Sequence, residues 1–209
     1  GRGLRRRLPT MLGGDRDRIR MVYSLLFSLP GTPVLFYGEE IGMGEDLRAE
    51  GRLAVRTPMQ WSPERNGGFS TAEESELPGP IPDGEYRPER INVAAQERDP
   101  KSLLSWMRLL IESYRACPEL AWGRYAVLDT GDAAVLAHRC DTEGGTVVAV
   151  HNFGAAPTKA VLKLTGLDAP CLLKDVLVDG SKRVAKDGSV TLELKRYGCR
   201  WLRVERQRR

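Results

Sequence analysis

Long hydrophobic runs are missing from this chain of 209 residues. No apolar stretch approaches the roughly 20 residues that a membrane-spanning helix needs. None stands behind the basic opening GRGLRRRLP in the manner of a secretory signal, so no membrane partner is expected. That opening does not look like the natural start of a protein. Cysteine is scarce: Cys117, Cys140, Cys171 and Cys199 are widely spaced, with no C-x-x-C pair. The pattern suits reduced, buried thiols of a cytoplasmic protein better than a disulfide framework or a zinc site. Aromatics make up 7% of the chain, and the first basic run holds none. With no zinc-finger spacing and no RNA-binding motif either, no nucleic-acid partner is expected. What the chain has is a 41% hydrophobic content, enough for one large domain or two small ones and too much for intrinsic disorder.

The net charge of +4 is unevenly placed. Residues 1–20 carry +5 and residues 195–209 carry +6, which leaves −7 for the span between them. The basic ends therefore read as solvated ends or docking surfaces around an acidic middle.

Apolar periodicity predicts a helix from Asp15, with Ile19, Val22, Tyr23, Leu26 and Leu29 on one face and Leu29-Pro30-Gly31 as its stop. Pro33-Val34-Leu35-Phe36-Tyr37-Gly38 reads as a strand buried on both faces, the kind found in parallel sheets. A second helix is expected to open at Asp99-Pro100 and close at Cys117-Pro118, with Leu103, Trp106, Met107, Leu110, Ile111 and Tyr114 in its core. Residues 39–98 exceed the roughly 15 residues of an ordinary loop. They carry Arg56-Thr57-Pro58-Met59-Gln60-Trp61, which argues for a folded loop, with Glu73 to Pro88 as its mobile part. From Gly123 the pattern turns to strands near 124–128, 133–139, 146–152, 159–164, 171–177, 189–194 and 199–204, an antiparallel β-sandwich. A lone parallel strand cannot satisfy its backbone. The chain thus reads as α/β plus all-β: residues 1–120 the end of a larger α/β domain, residues 121–209 a complete β domain.

Ser28-Leu29-Pro30-Gly31-Thr32-Pro33-Val34-Leu35-Phe36-Tyr37-Gly38-Glu39-Glu40-Ile41-Gly42-Met43 resembles the eighth barrel strand and following loop of α-amylase family glycoside hydrolases. Val55-Arg56-Thr57-Pro58-Met59-Gln60-Trp61-Ser62 with Asn66-Gly67-Gly68-Phe69 is similar to the loop of the α-glucosidase and trehalose synthase branch. The run Ile91-Asn92-Val93 through Gln96, Asp99-Pro100 and Ser102-Leu103-Leu104 to Trp106-Met107-Arg108 is similar to the eighth helix of trehalose synthases. The resemblance spans about residues 4–125. It implies the C-terminal portion of a (β/α)8 TIM barrel followed by an antiparallel β-sandwich, with the active site at the C-terminal ends of the strands. It also implies retaining chemistry on maltose, trehalose or short α-glucans through a covalent glycosyl intermediate. In trehalose synthases the released glucose recaptures that intermediate.

The resemblance puts the nucleophile Asp, the acid/base Glu and the third Asp on earlier strands, and no Asn-His-Asp occurs here. Catalytic residues are therefore expected upstream, and this chain alone is expected to be inactive. For the substrate it leaves Arg56, whose counterpart pairs with an upstream Asp and donates to sugar hydroxyls at the bottom of the glucose pocket. An always-charged, rigid fork of donors suits that task. The alternative is a surface arginine holding its own loop. Glu39 and Glu40, at a strand end, could accept sugar hydroxyls or merely cap or salt-bridge the loop. Trp61 and Phe69 could stack on a sugar or anchor the loop. Leu53 departs from the Asp that trehalose synthases carry at that point. His138, with Cys140 two residues on, and His151 read as buried core rather than metal ligands. No cofactor is expected on these residues, and calcium sites of the superfamily draw on its N-terminal part. A homo-oligomer stays open. So do two rival readings, a hydrolytic α-glucosidase or oligoglucosidase, and a non-catalytic remnant or glycan- or partner-binding module.

Overall fold

The computed structural model describes residues 3–167 and 170–205. Arg2 and the basic residues Arg206, Arg208 and Arg209 lie outside the described residues. The chain forms two compact units, residues 1–19 with 34–108, and residues 20–33 with 109–209.

In the first unit, α1 (Leu8–Met11) carries Pro9 in its first turn, where a missing N–H costs nothing. The helix α2 (Arg16–Ser28) begins where the sequence predicts, because the Asp15 carboxylate accepts from the Asp17 and Arg18 amides. Beyond it, Pro33 to Gly38 forms no ladder among the described residues, and its openness corrects the expected burial on both faces. The segment is extended without a partner strand among the described residues. Its side chains lie open, with Val34 78% and Phe36 43% exposed.

The long connection is folded, as expected, through short 3₁₀ turns at Glu39–Ile41, Gly51–Val55, Arg65–Gly68, Glu74–Glu76 and Gly84–Tyr86. A small core of Ile41, Met43, Met59 and Leu104 sits beneath it. Buried Gln60 ties its ends, donating from Nε2 to the carbonyls of Tyr86 (3.0 Å) and Ile91 (2.6 Å). The stretch expected to be mobile, Glu73 to Pro88, is tied by Arg65–Glu73 at 2.6 Å, by Gln60 to the Tyr86 carbonyl and by Asn92 to the Pro88 carbonyl. After α3 (Val93–Glu97), capped by Asn92, the next helix α4 (Leu103–Ala116) starts later than the Asp99-Pro100 signal. Ser102 Oγ caps it by accepting from the Ser105 amide, while Asp99 closes the preceding turn on Lys101.

In the second unit, Cys117 breaks the helix and Pro118 opens α5 (Pro118–Trp122), so the expected stop is also a start. The strands are β1 (Arg124–Leu128), β2 (Val135–Thr142), β3 (Gly145–Asn152), β4 (Thr158–Lys163), β5 (Leu172–Asp175), β6 (Ser181–Arg183), β7 (Ser189–Leu194) and β8 (Cys199–Glu205). They form an antiparallel sheet in the order β1-β2-β3-β8-β5-β6 and a β4-β7 pair. Alternate residues build the core between them: Val135, Ala137, Val148, Val150, Leu173 and Leu202 meet Ala160, Leu162, Val190, Leu192 and Leu194.

The larger sheet is covered on its other face as well, for β3 is buried along nearly its whole length. There the Ser24 hydroxyl meets His151 Nε2 at 3.0 Å, and the Ser28 carbonyl meets His138 Nε2 at 2.8 Å. Phe27 stacks edge-on against Tyr114, Ser113 donates to the Val176 carbonyl, and Arg203 grips buried Glu119.

Candidate functional site

The site is built within the first unit from the turn at Glu39–Ile41 and the loop from residue 56 to 69. Tyr37, Glu40, Arg56, Thr57, Pro58, Met59, Trp61, Phe69 and Pro78 line an open cleft of about 330 Å³. Gly38 (φ 82°) and Gly42 (φ 76°) bracket the turn, positions that a side chain would strain. The two carboxylates therefore sit on a 3₁₀ turn rather than a strand end, and they part company. Glu40 lines the cleft. Glu39 is buried away from it, its Oε1 lying 3.8 Å from Arg7 Nη1.

Arg56 ends the 3₁₀ turn Gly51–Val55, its amide donating to the Leu53 carbonyl at 3.0 Å. Among the described residues its guanidinium forms no hydrogen bond or ion pair, and neither does the Glu40 carboxylate. A cation and an anion, both uncommitted, thus face one cleft. Thr57 is buried beside them, its hydroxyl without a partner among the described residues. Trp61 and Phe69 are 51% and 44% exposed on the same cleft, so the burden of anchoring the loop falls on Gln60 instead. Leu53 is exposed and does not line the cleft. The arrangement has donors, acceptors and flat apolar faces, the groups that suit a polyhydroxylated ring.

Arg7, part of a basic run that reads as solvated, is 1% exposed. It donates to the carbonyls of Tyr37 (2.7 Å) and Val55 (2.8 Å) and lies over the rings of Phe36 and Tyr37 at 4.7 and 5.1 Å. Nothing in the sequence separates it from Arg5 and Arg6, which are exposed. His138 and His151 lie in the second unit, stacked with centroids 6.0 Å apart and fully buried. Burial, then the neighbouring His138, hold the His151 ring down to about 3. Among the described residues no group of His, Cys, Asp or Glu could hold a metal ion, and no helix is long and apolar enough to cross a membrane.

Residues 5–123 match the family described as alpha amylase, catalytic domain, and residues 144–203 match that described as sucrose hydrolase-like, C-terminal domain. The trehalose synthase/amylase TreS of Mycobacterium tuberculosis is 41% identical over 166 residues, 78% of this chain and 28% of its own length. The trehalose synthase of Thermus thermophilus is 40% identical over 153 residues, 72% of this chain and 16% of its own length. This chain thus spans under a third of these relatives. The amino acid transporter heavy chain SLC3A1 of Mus musculus is 31% identical over 169 residues, 77% of this chain and 23% of its own. Among solved structures, an α-amylase from H. orenii superposes with a TM-score of 0.72 at 25% identity, covering 96% of this chain and 38% of that one. The trehalulose synthase MutB gives 0.74 at 24% identity, covering 97% and 42%.

Proposed function

Since the chain belongs to the α-amylase family and carries the last portion of a barrel followed by an antiparallel β domain, we propose that it supplies the sugar-holding wall of a retaining α-glucosidic enzyme. The trehalose synthase-like interconversion of maltose and trehalose fits best, supported by the names of the relatives that are about 40% identical. In this reading residues 1–120 end the barrel and residues 121–209 are the C-terminal β domain. The nucleophile and the acid/base carboxylate belong to upstream strands, and the chain alone is inactive.

One observation carries the proposal: Arg56 and Glu40 face the same open cleft as Trp61 and Phe69, with neither charge engaged elsewhere among the described residues. Arg56 donates to sugar hydroxyls from a rigid, planar fork of N–H groups. Glu40 accepts from others, and the rings lie against the apolar face of the pyranose. Glu39 serves the loop. The substrates are maltose, trehalose or short α-glucans, with no cofactor on these residues. The absence of a disulfide among the four cysteines supports a reducing, cytoplasmic setting.

The test is Arg56→Ala in the native polypeptide, with maltose as substrate. Loss of one charged contact to a bound hydroxyl, at about 1.5–3 kcal/mol, raises KM for maltose tenfold or more. An unchanged KM removes Arg56 from the sugar site. A second reading, a partner-binding chain without chemistry, is supported by the likeness to a protein named as a transporter heavy chain. The intact mass of the native protein separates the two. A mass well above 23.3 kDa, with upstream peptides carrying the missing carboxylates, fits the enzyme. A mass of 23.3 kDa leaves the partner-binding reading.

A further inference from the structure

We propose that Arg7 is a positioning residue for the sugar cleft: its buried guanidinium sets the placement of Arg56 without touching substrate. The inference rests on the reading of the cleft given above. Arg7 does not line the cleft, yet both carbonyls it holds belong to residues next to or within the cleft wall. Nη1 donates to the carbonyl of Tyr37, whose ring lines the cleft, and Nη2 donates to the carbonyl of Val55, the residue before Arg56. The Tyr37 hydroxyl in turn donates to the Thr57 carbonyl at 2.8 Å, on the other side of Arg56. The contacts close a ring: Arg7 to Val55, along the chain through Arg56 to Thr57, across to Tyr37, and back to Arg7. Arg56 is the one charged member of that ring whose side chain has no partner among the described residues.

The chemistry explains why an arginine is there. A buried cation needs partners, and Arg7 has two carbonyls, the Glu39 carboxylate at 3.8 Å and the faces of Phe36 and Tyr37. A planar fork can hold two carbonyls on separate segments at once. A lysine ammonium, a point donor on a flexible stem, cannot hold both in the same fixed geometry. The other backbone bonds of the 51–55 segment are turn bonds, such as that from the Arg56 amide to Leu53, and one from the Asp46 amide to the Ala54 carbonyl at 2.9 Å, and none of them reaches Tyr37. They shape the turn but do not fix where it stands against Tyr37.

The experiment measures KM and kcat for maltose in the native polypeptide for Arg7→Lys, Arg56→Ala and the double variant, each with a thermal melt. Arg7→Lys is expected to raise KM three- to tenfold, with kcat changed by less than twofold. In the Arg56→Ala background, Arg7→Lys is expected to raise KM no further, although it lowers the melting temperature equally in both backgrounds. A merely structural Arg7 would give KM effects that multiply in the double variant, and that result overturns the proposal. So does an unchanged KM in Arg7→Lys. If Arg56→Ala itself leaves KM unchanged, the reading of the cleft fails and the positioning role fails with it. Should Arg7→Lys not fold, Tyr37→Phe opens the same ring at its other link. Its KM rise must likewise vanish in the Arg56→Ala background, and a rise that persists there overturns the proposal.

Discussion

Arg7 shows what a single residue can hide. Arg5, Arg6 and Arg7 are the same letter three times in a row, and only the third is enclosed, because its neighbours in space come from residues 36–55. Nothing local records that. The sequence offers Arg56, Glu39 and Glu40 alike, and only the way a 3₁₀ turn aims its side chains puts Glu40 on the cleft with Arg56 and Glu39 away from it. Three of the four cysteines are buried thiols as expected, Cys199 being half-buried, and their chemistry follows. Burial pushes Cys117 and Cys140 up to about 11, so at neutral pH almost no thiolate is present at either. A disulfide reagent at pH 7.5 is expected to leave both unmodified in the native protein and to label both in urea. Rapid labelling of either before unfolding would show that the packing over the thiol is wrong.

Among the elements, strands were read most faithfully where turn residues bound an alternating run, as at Lys186-Asp187-Gly188 ahead of β7. The strand β6, Ser181–Arg183, escaped because all three of its side chains are exposed and no alternation marks it. The start of α4 was misplaced because Asp99-Pro100 and Ser102 both look like caps, and the choice falls to Gln96. Its side chain accepts from the Leu104 amide, and its carbonyl accepts from the Ser102 hydroxyl.

The pairing of α2 with the sheet makes a prediction of its own. His138 and His151 are both held below their ordinary value, chiefly by burial, with His138 adding to the effect on His151. The unfolded chain, titrating near 6.5, therefore takes up protons that the native chain refuses. The His151 contribution is full above about pH 6.5 and falls as pH drops from there toward 3, by up to about 1.4 kcal/mol per pH unit, and His138 acts in the same direction. Urea midpoints measured from pH 7 to pH 5 should show the decline. Replacing His151 by Gln should flatten it, and an equal slope in both proteins would rule the pair out as its source.

At the scale of the whole molecule, the segment from Pro33 to Gly38 reads in the sequence as a lone strand buried on both faces, whereas in the structure it is extended and open. Parallel sheets bury their strands between others, and among the described residues no other strand reaches this one. With Leu4, Val34, Phe36 and Tyr37 exposed, the chain alone is expected to bind an apolar dye in its native buffer and to self-associate. A monomeric, dye-silent chain with one cooperative melt would contradict that.

The second cover of the larger sheet has a consequence for ancestry. It comes from residues 20–28 and 109–122, and residues 34–108, which bear the cleft, are threaded between those two pieces of chain. A genetic exchange with its crossover at residue 121 would deliver a sheet with His138, His151 and Trp201 laid bare. Only a crossover ahead of residue 20 keeps the sheet whole, and it brings Glu40 and Arg56 along. A transferred segment that is to keep this sheet covered by its own residues therefore carries the cleft with it.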